Sequence, residues 1–254
     1  MRDGVARNFV TEASMIVLHT FGPLHDMIDV SPFVTKAHTL LRLADLKYTA
    51  IASDVRKAPK GKFPVIVDDG ETIPDSTFIR MHIERKYGFE FDASFDALAR
   101  SQSWAVEKLA EDNLFWIALR ERWMEEKYFA RGAAMYFKSI PWPARDLIAA
   151  MVRRSVGKSI WAQGAGRHSD AERAEIARRG IGAIAVILGT KPYLMGDKPC
   201  AADASVFALF NALYCPVFDT PMQAIALEHE NLVAYSARLA AEWFPEVKRS
   251  RGPS

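Results

Sequence analysis

The sequence predicts a two-part chain, an α/β unit over residues 15–88 and an all-helical unit over residues 96–247. Three observations predict it. Short β-branched runs alternate with helical periodicity up to Tyr87, only long helical patterns occur from Asp96 onward, and residues 89–95 between them carry neither period. That short segment reads as a linker. Residues 1–14 mix Arg2, Asp3, Arg7 and Glu12 and read as a flexible tail.

Within the first unit, Met15 to Phe21 is a nearly continuous apolar and β-branched run closed by Gly22-Pro23, the pattern of a strand buried on both faces. Ser31-Pro32 then supplies a helix N-cap and a proline at the first helical position, and Val34, Ala37, Leu41 and Ala44 recur at helical spacing. Lys47 to Ser53 reads as a second strand, so strand, helix, strand implies parallel pairing through a right-handed crossover. Phe63–Val67 and Glu71–Ile73 flank Asp68-Asp69-Gly70, a hairpin signal because glycine takes positive φ without a steric penalty. Asp75-Ser76 caps a helix over Thr77–Tyr87 that has Phe78, Ile79, His82 and Ile83 on or near one face and Gly88 at its end. This is a thioredoxin-like order. Beyond the linker, helical patterns cover Asp96–Phe129, Pro143–Trp161, Ser169–Leu188, Ala201–Tyr214 and Leu232–Phe244.

Composition removes several function classes. The 33 basic and 31 acidic side chains are interspersed, so no positive footprint for nucleic acid is expected. The longest uncharged apolar stretch, Ile181–Leu188, is far short of the ~20 residues of a membrane span. With no signal-peptide core in residues 1–14, a cytoplasmic protein is expected. Cys200 and Cys215 would stand about 22 Å apart if the stretch between them is helical, so two reduced thiols are expected. The histidines show no metal-ligand spacing, and no dinucleotide loop, P-loop or nucleophile elbow is present; no metal is expected.

Ser31-Pro32-Phe33 with Lys36-Ala37, then Gly61-Lys62-Phe63-Pro64-Val65-Ile66 with its Asp-Asp-Gly turn, then Asp75-Ser76-Thr77-Phe78-Ile79, together resemble the glutathione-binding half of glutathione transferases. The resemblance runs on through Tyr193-Leu194-Met195-Gly196-Asp197, Ala201-Ala202-Asp203 and Asn231-Leu232-Val233-Ala234-Tyr235. The long first loop and Glu111-Asp112-Asn113-Leu114-Phe115-Trp116 are similar to the metaxin and failed-axon-connections branch. Glutathione transferase architecture is therefore the expectation.

The resemblance implies a site. Ser31, at a helix start where amides and dipole favour an anion, takes the catalytic serine role, its hydroxyl donating to the glutathione sulfur and lowering the thiol pKa. The same Ser31 reads equally as a plain helix cap. Phe63-Pro64 matches the cis-proline position whose neighbouring backbone pairs with the cysteinyl part of glutathione, though it reads as an ordinary strand start too. Asp75 and Ser76 match the residues that hold the γ-glutamyl end, a carboxylate for its ammonium and a hydroxyl with helix amides for its carboxylate. The basic run Arg56 to Lys62 either meets the glycyl carboxylate or is a solvated turn. Trp116, Leu119, Arg120 and Trp123 either line a pocket for an apolar electrophile or form a core stripe. Cys200 stands where the family's serine or threonine folding cap precedes Asp203, and a thiol is the weaker acceptor.

The resemblance implies glutathione as co-substrate, a small apolar electrophile and a homodimer, with a non-catalytic, protein-binding scaffold as the competing reading. The polar end Lys248–Ser254 gives no sign of a membrane anchor.

Overall fold

The computed structural model describes residues 15–138 and 140–247. The tail expected over residues 1–14 and the polar end Lys248–Ser254 lie outside the described residues.

The first unit runs β1 (Ile16–Thr20), α1 (Pro32–Leu43), β2 (Tyr48–Ala52), β3 (Val65–Asp68), β4 (Glu71–Pro74) and α2 (Ser76–Tyr87). Its four strands stand in the order β2-β1-β3-β4. β1 pairs with β2 in parallel and with β3 antiparallel, and β3 pairs antiparallel with β4. The hairpin turn has Asp69 at φ 51° and Gly70 at φ 82°, two consecutive left-handed residues as the Asp-Gly signal requires. Gly88 at φ 67° ends α2. β1 alternates rather than being buried on both faces: Ile16, Leu18 and Thr20 point into the core, while Val17 and His19 are half-buried. Phe78 departs from the expected apolar face of α2. It is 51% exposed beneath the Lys60 ammonium, while Ile79, His82 and Ile83 are buried.

The second unit comprises α3 (Ala97–Lys108), α4 (Phe115–Met124), α5 (Glu126–Arg131), α6 (Ala144–Gln163), α7 (Asp170–Leu188), α8 (Ala201–Leu213), α9 (Pro221–Leu227) and α10 (Glu230–Trp243). The run expected as one helix over Asp96–Phe129 is divided twice. A π-helical turn spans Leu109–Leu114, and extended backbone at Glu125, ψ 123°, separates α4 from α5. The short helix α9 went unread because its period covers barely two turns. α8 is the central helix, with every residue buried.

Residues 89–95 are pinned rather than free. Phe91 and Asp92 are buried; Asp92 accepts from the Arg80 guanidinium at 2.7 Å, the Ser103 hydroxyl at 3.1 Å and the Ala201 amide at 2.9 Å. The same junction holds Lys36 of α1, 1% exposed, whose ammonium reaches Glu107 at 3.0 Å and Glu111 at 2.5 Å. Arg80 reaches Glu107 at 2.9 Å from the other side. Burial pushes the Glu107 carboxyl up, but Lys36, Arg80 and Lys108 outweigh it and hold the group below its ordinary range.

Candidate functional site

Strand register brings the predicted residues to one edge of the sheet. His19 faces Val65 and Val65 faces Pro74, so the end of β1, the start of β3 and the end of β4 coincide there. Helices α1 and α2 both begin at that edge, presenting their unpaired amides.

Ser31 is the N-cap residue of α1, with Pro32 following, and its hydroxyl makes no capping hydrogen bond. Half-buried Ser31 thus leaves its hydroxyl unspent at a helix N-terminus. The Phe63–Pro64 bond is cis. Phe63 packs with Val34 of the first turn of α1, with Val65 and, edge to face at 5.1 Å, with Phe21. The Pro64 carbonyl accepts from the Asp75 amide at 3.0 Å, which joins the start of β3 to the start of α2.

Asp75 caps α2, its Oδ1 accepting from the Thr77 amide at 3.1 Å. It does so at φ 85° and ψ 132°, a conformation that costs a non-glycine residue about 1–3 kcal/mol and so marks a tightly determined site. Burial raises its carboxyl, but the Lys62 ammonium at 2.9 Å and the Thr77 amide outweigh it and keep the group below its ordinary range. A charged acceptor therefore stands at this edge at neutral pH. Ser76 beside it is 2% exposed. Lys62, from the basic run left open in the sequence between a glycyl-carboxylate partner and a solvated turn, pairs with Asp75; Arg56 from the same run pairs locally with Asp54.

Asp29 carries no sequence signal and yet lies at the centre of the loop between β1 and α1. It is 1% exposed and accepts from the Gly22 amide at 2.7 Å and the Ser31 amide at 2.8 Å. Phe21 and Tyr136 face each other with ring centroids 6.4 Å apart, giving the edge an aromatic wall from each unit. Trp116, Leu119, Arg120 and Trp123 are all half-buried, Arg120 pairing with Glu125 and Trp123 lying against Phe129. The core face of α4 is Ile117 and Ala118. A narrow crevice beside α1 is lined by Pro32, Phe33, Lys36, Glu111, Phe115 and Ser205 among others. Cys200 and Cys215 are both free and buried. Among the described residues no group of three or more His, Cys, Asp or Glu side chains could hold a metal ion, and no helix is long and apolar enough to cross a membrane.

A thioredoxin-like sheet with both helix starts at one edge, joined to an all-helical unit, defines the glutathione transferase class of architecture. Residues 32–128 match the glutathione S-transferase N-terminal domain, and residues 177–239 the glutathione S-transferase C-terminal domain. The chain belongs to the glutathione transferase superfamily. It is 27% identical to isoprene-epoxide--glutathione S-transferase of Rhodococcus sp. (strain AD45), covering 90% of this chain and 99% of the relative. It is 26% identical to Failed axon connections of Drosophila melanogaster, over 92% of this chain and 59% of that protein. To Metaxin-1 of Mus musculus the identity is 24%, over 86% of this chain and 71% of that protein. The fold is that of a solved Ceriporiopsis subvermispora glutathione S-transferase in complex with glutathione, TM-score 0.60 at 17% identity over 94% of this chain and all of the other.

Proposed function

We propose that the chain binds reduced glutathione and transfers its sulfur to an electrophilic carbon of a small apolar co-substrate. The observation that carries this reading is the convergence at one sheet edge of the unspent Ser31 hydroxyl, the Phe63–Pro64 strand start and the strained Asp75 with Ser76. In this reading the peptide pairs along Phe63–Pro64, Asp75 takes the γ-glutamyl ammonium, and Ser76 with the α2 amides takes its carboxylate. Ser31 donates to the thiolate, which forms the new carbon–sulfur bond as the bond from that carbon to its leaving atom breaks.

A second reading, a non-catalytic scaffold, is favoured by the similarity to Failed axon connections and Metaxin-1. Calorimetric titration with reduced glutathione separates the two. Saturable binding that weakens in Ser76→Ala supports the enzyme. Ser31→Ala is then expected to keep the fold and lose about tenfold in turnover at neutral pH for each unit by which the bound thiol pKa rises. No heat and no thermal shift at millimolar ligand would favour the scaffold.

Homodimerisation and a cytoplasmic setting belong to the same proposal. Phe78 and Met81 on α2 with Leu98 and Trp104 on α3 are large, apolar and exposed, and are the surface on which a second copy would pack. Light scattering of the purified chain checks the dimer.

A further inference from the structure

We propose that Asp29 is the positioning residue of the thiol site: its one carboxylate ties the Gly22 amide, just past β1, to the Ser31 amide at the start of α1, and so sets where the Ser31 hydroxyl stands. The proposal rests on the Ser31 reading above and deepens it. The loop between Gly22 and Ser31 has few other backbone ties, Met27 to Leu24 at 3.2 Å and a long Val30 to Gly22 bond at 3.4 Å. Against these the two Asp29 bonds are short, at 2.7 and 2.8 Å, and each uses a different carboxylate oxygen. An ionised carboxylate offers acceptor lone pairs on both oxygens; a proton on either converts it to a donor and breaks the symmetry of the tie.

Asp29 is therefore a place where proton uptake reaches the site. Burial raises its pKa to about 7, outweighing the Ser31, Gly22 and Phe21 amides that favour the charged form. From the helical unit the titratable group facing it is Tyr136, which burial and the Asp29 charge push up, so that it stays neutral throughout this range. Arg122 of α4 reaches the same loop at the Met27 sulfur, 3.8 Å away, and acts on Tyr136 in the opposite direction. From its own side the partners of Asp29 are backbone amides. The tie is complete on the alkaline side of about 7 and loosens on the acid side.

The test follows the amide protons of Gly22 and Ser31 by NMR in the full chain across pH, in wild type and in Asp29→Asn, with the ultraviolet absorbance of bound glutathione thiolate measured in parallel. Expected are two amides that move together with a midpoint near 7 in wild type and stay flat in Asp29→Asn. Bound thiolate at neutral pH is expected to fall about tenfold in the variant, one unit of thiol pKa, with a smaller loss of glutathione affinity. A purely structural role would reduce affinity and thiolate together. Amides that do not titrate overturn the proposal, as does an Asp29→Asn thiolate profile equal to wild type while Ser31→Ala abolishes the signal. A wild-type chain that binds no glutathione fails the earlier reading instead, and the amide titration, which needs neither ligand nor variant, then decides the Asp29 tie alone.

Discussion

At the scale of single residues, Asp203 shows how a buried carboxylate can hold several elements together. It is 0% exposed and accepts from the Leu194 amide at 3.0 Å, the Cys200 amide at 2.8 Å and the Tyr235 phenol at 2.7 Å. Burial raises its pKa and outweighs the donors. A raised folded-state pKa means its stabilisation is full below the unfolded value of about 3.9 and declines as the pH rises through the folded one. Asp203→Ala leaves two amides and a phenol without their acceptor, and at about 1–3 kcal/mol for each orphaned group the expected loss is about 3–9 kcal/mol in urea denaturation. Cys200 and Asp203 form a reciprocal capping box at the start of α8, the thiol at the Asp203 amide and the Asp203 carboxylate at the Cys200 amide. In Cys200→Ser the new hydroxyl finds Ser103 and Asp203, which already hydrogen-bond the thiol, so the melting temperature is expected to hold or rise; a clear drop would show the sulfur to be needed for packing.

At the scale of elements, the buried ionic cluster fixes how α1 and α2 meet α3. Removing one member of a buried ion pair costs about 3–5 kcal/mol because a charge is left uncompensated. Lys36→Met is expected near the low end, about 3 kcal/mol, since Arg80 and Lys108 still face Glu107. Adding Glu111→Gln to that variant should recover part of the loss, and a further loss would mean the carboxylate serves another partner such as the Ser205 hydroxyl at 2.8 Å. Because Glu107 is held below its ordinary range, its contribution is present above about pH 4.3 and is lost as the pH falls through the lowered value. This cluster also marks the limit of what could be read from the sequence. Strands, hairpin, α1 and α2 each announced themselves by local signals: alternation, Asp-Gly, Ser-Pro and a closing Gly88. The π-helical turn at Leu109–Leu114 did not, because six residues are too short a window to show a change of period. At the site, Ser31, Phe63, Pro64, Asp75 and Ser76 were legible as motifs. Asp29 was not, since its partners are backbone amides that every residue carries; Lys62 was legible as part of a basic run, but not its pairing with Asp75 thirteen residues away.

At the scale of the whole molecule, the two units share too much buried material to unfold separately. Ala201 and Ala204 of α8 belong to the cluster beneath the sheet with Leu18, Leu40 and Ile66, while Ile28 from the first loop is buried in the helical core. Separating the units would expose those contacts and strip Lys36 and Arg80 of Glu107 and Asp92 at once. A single cooperative transition is therefore expected. The chain carries its own test: all six tryptophans, Trp104, Trp116, Trp123, Trp142, Trp161 and Trp243, lie in the helical unit, so their fluorescence is silent about the sheet. Hydrogen exchange at the β1 and β3 amides of Leu18 and Ile66 reports the other half, and the two probes should give the same unfolding free energy. A sheet that opens at lower denaturant than the tryptophans report would break the shared-core argument. Coincidence has a functional consequence: glutathione held only at the sheet edge, at a hundredfold excess over its dissociation constant, should then raise both readings by the same amount, about 2.7 kcal/mol.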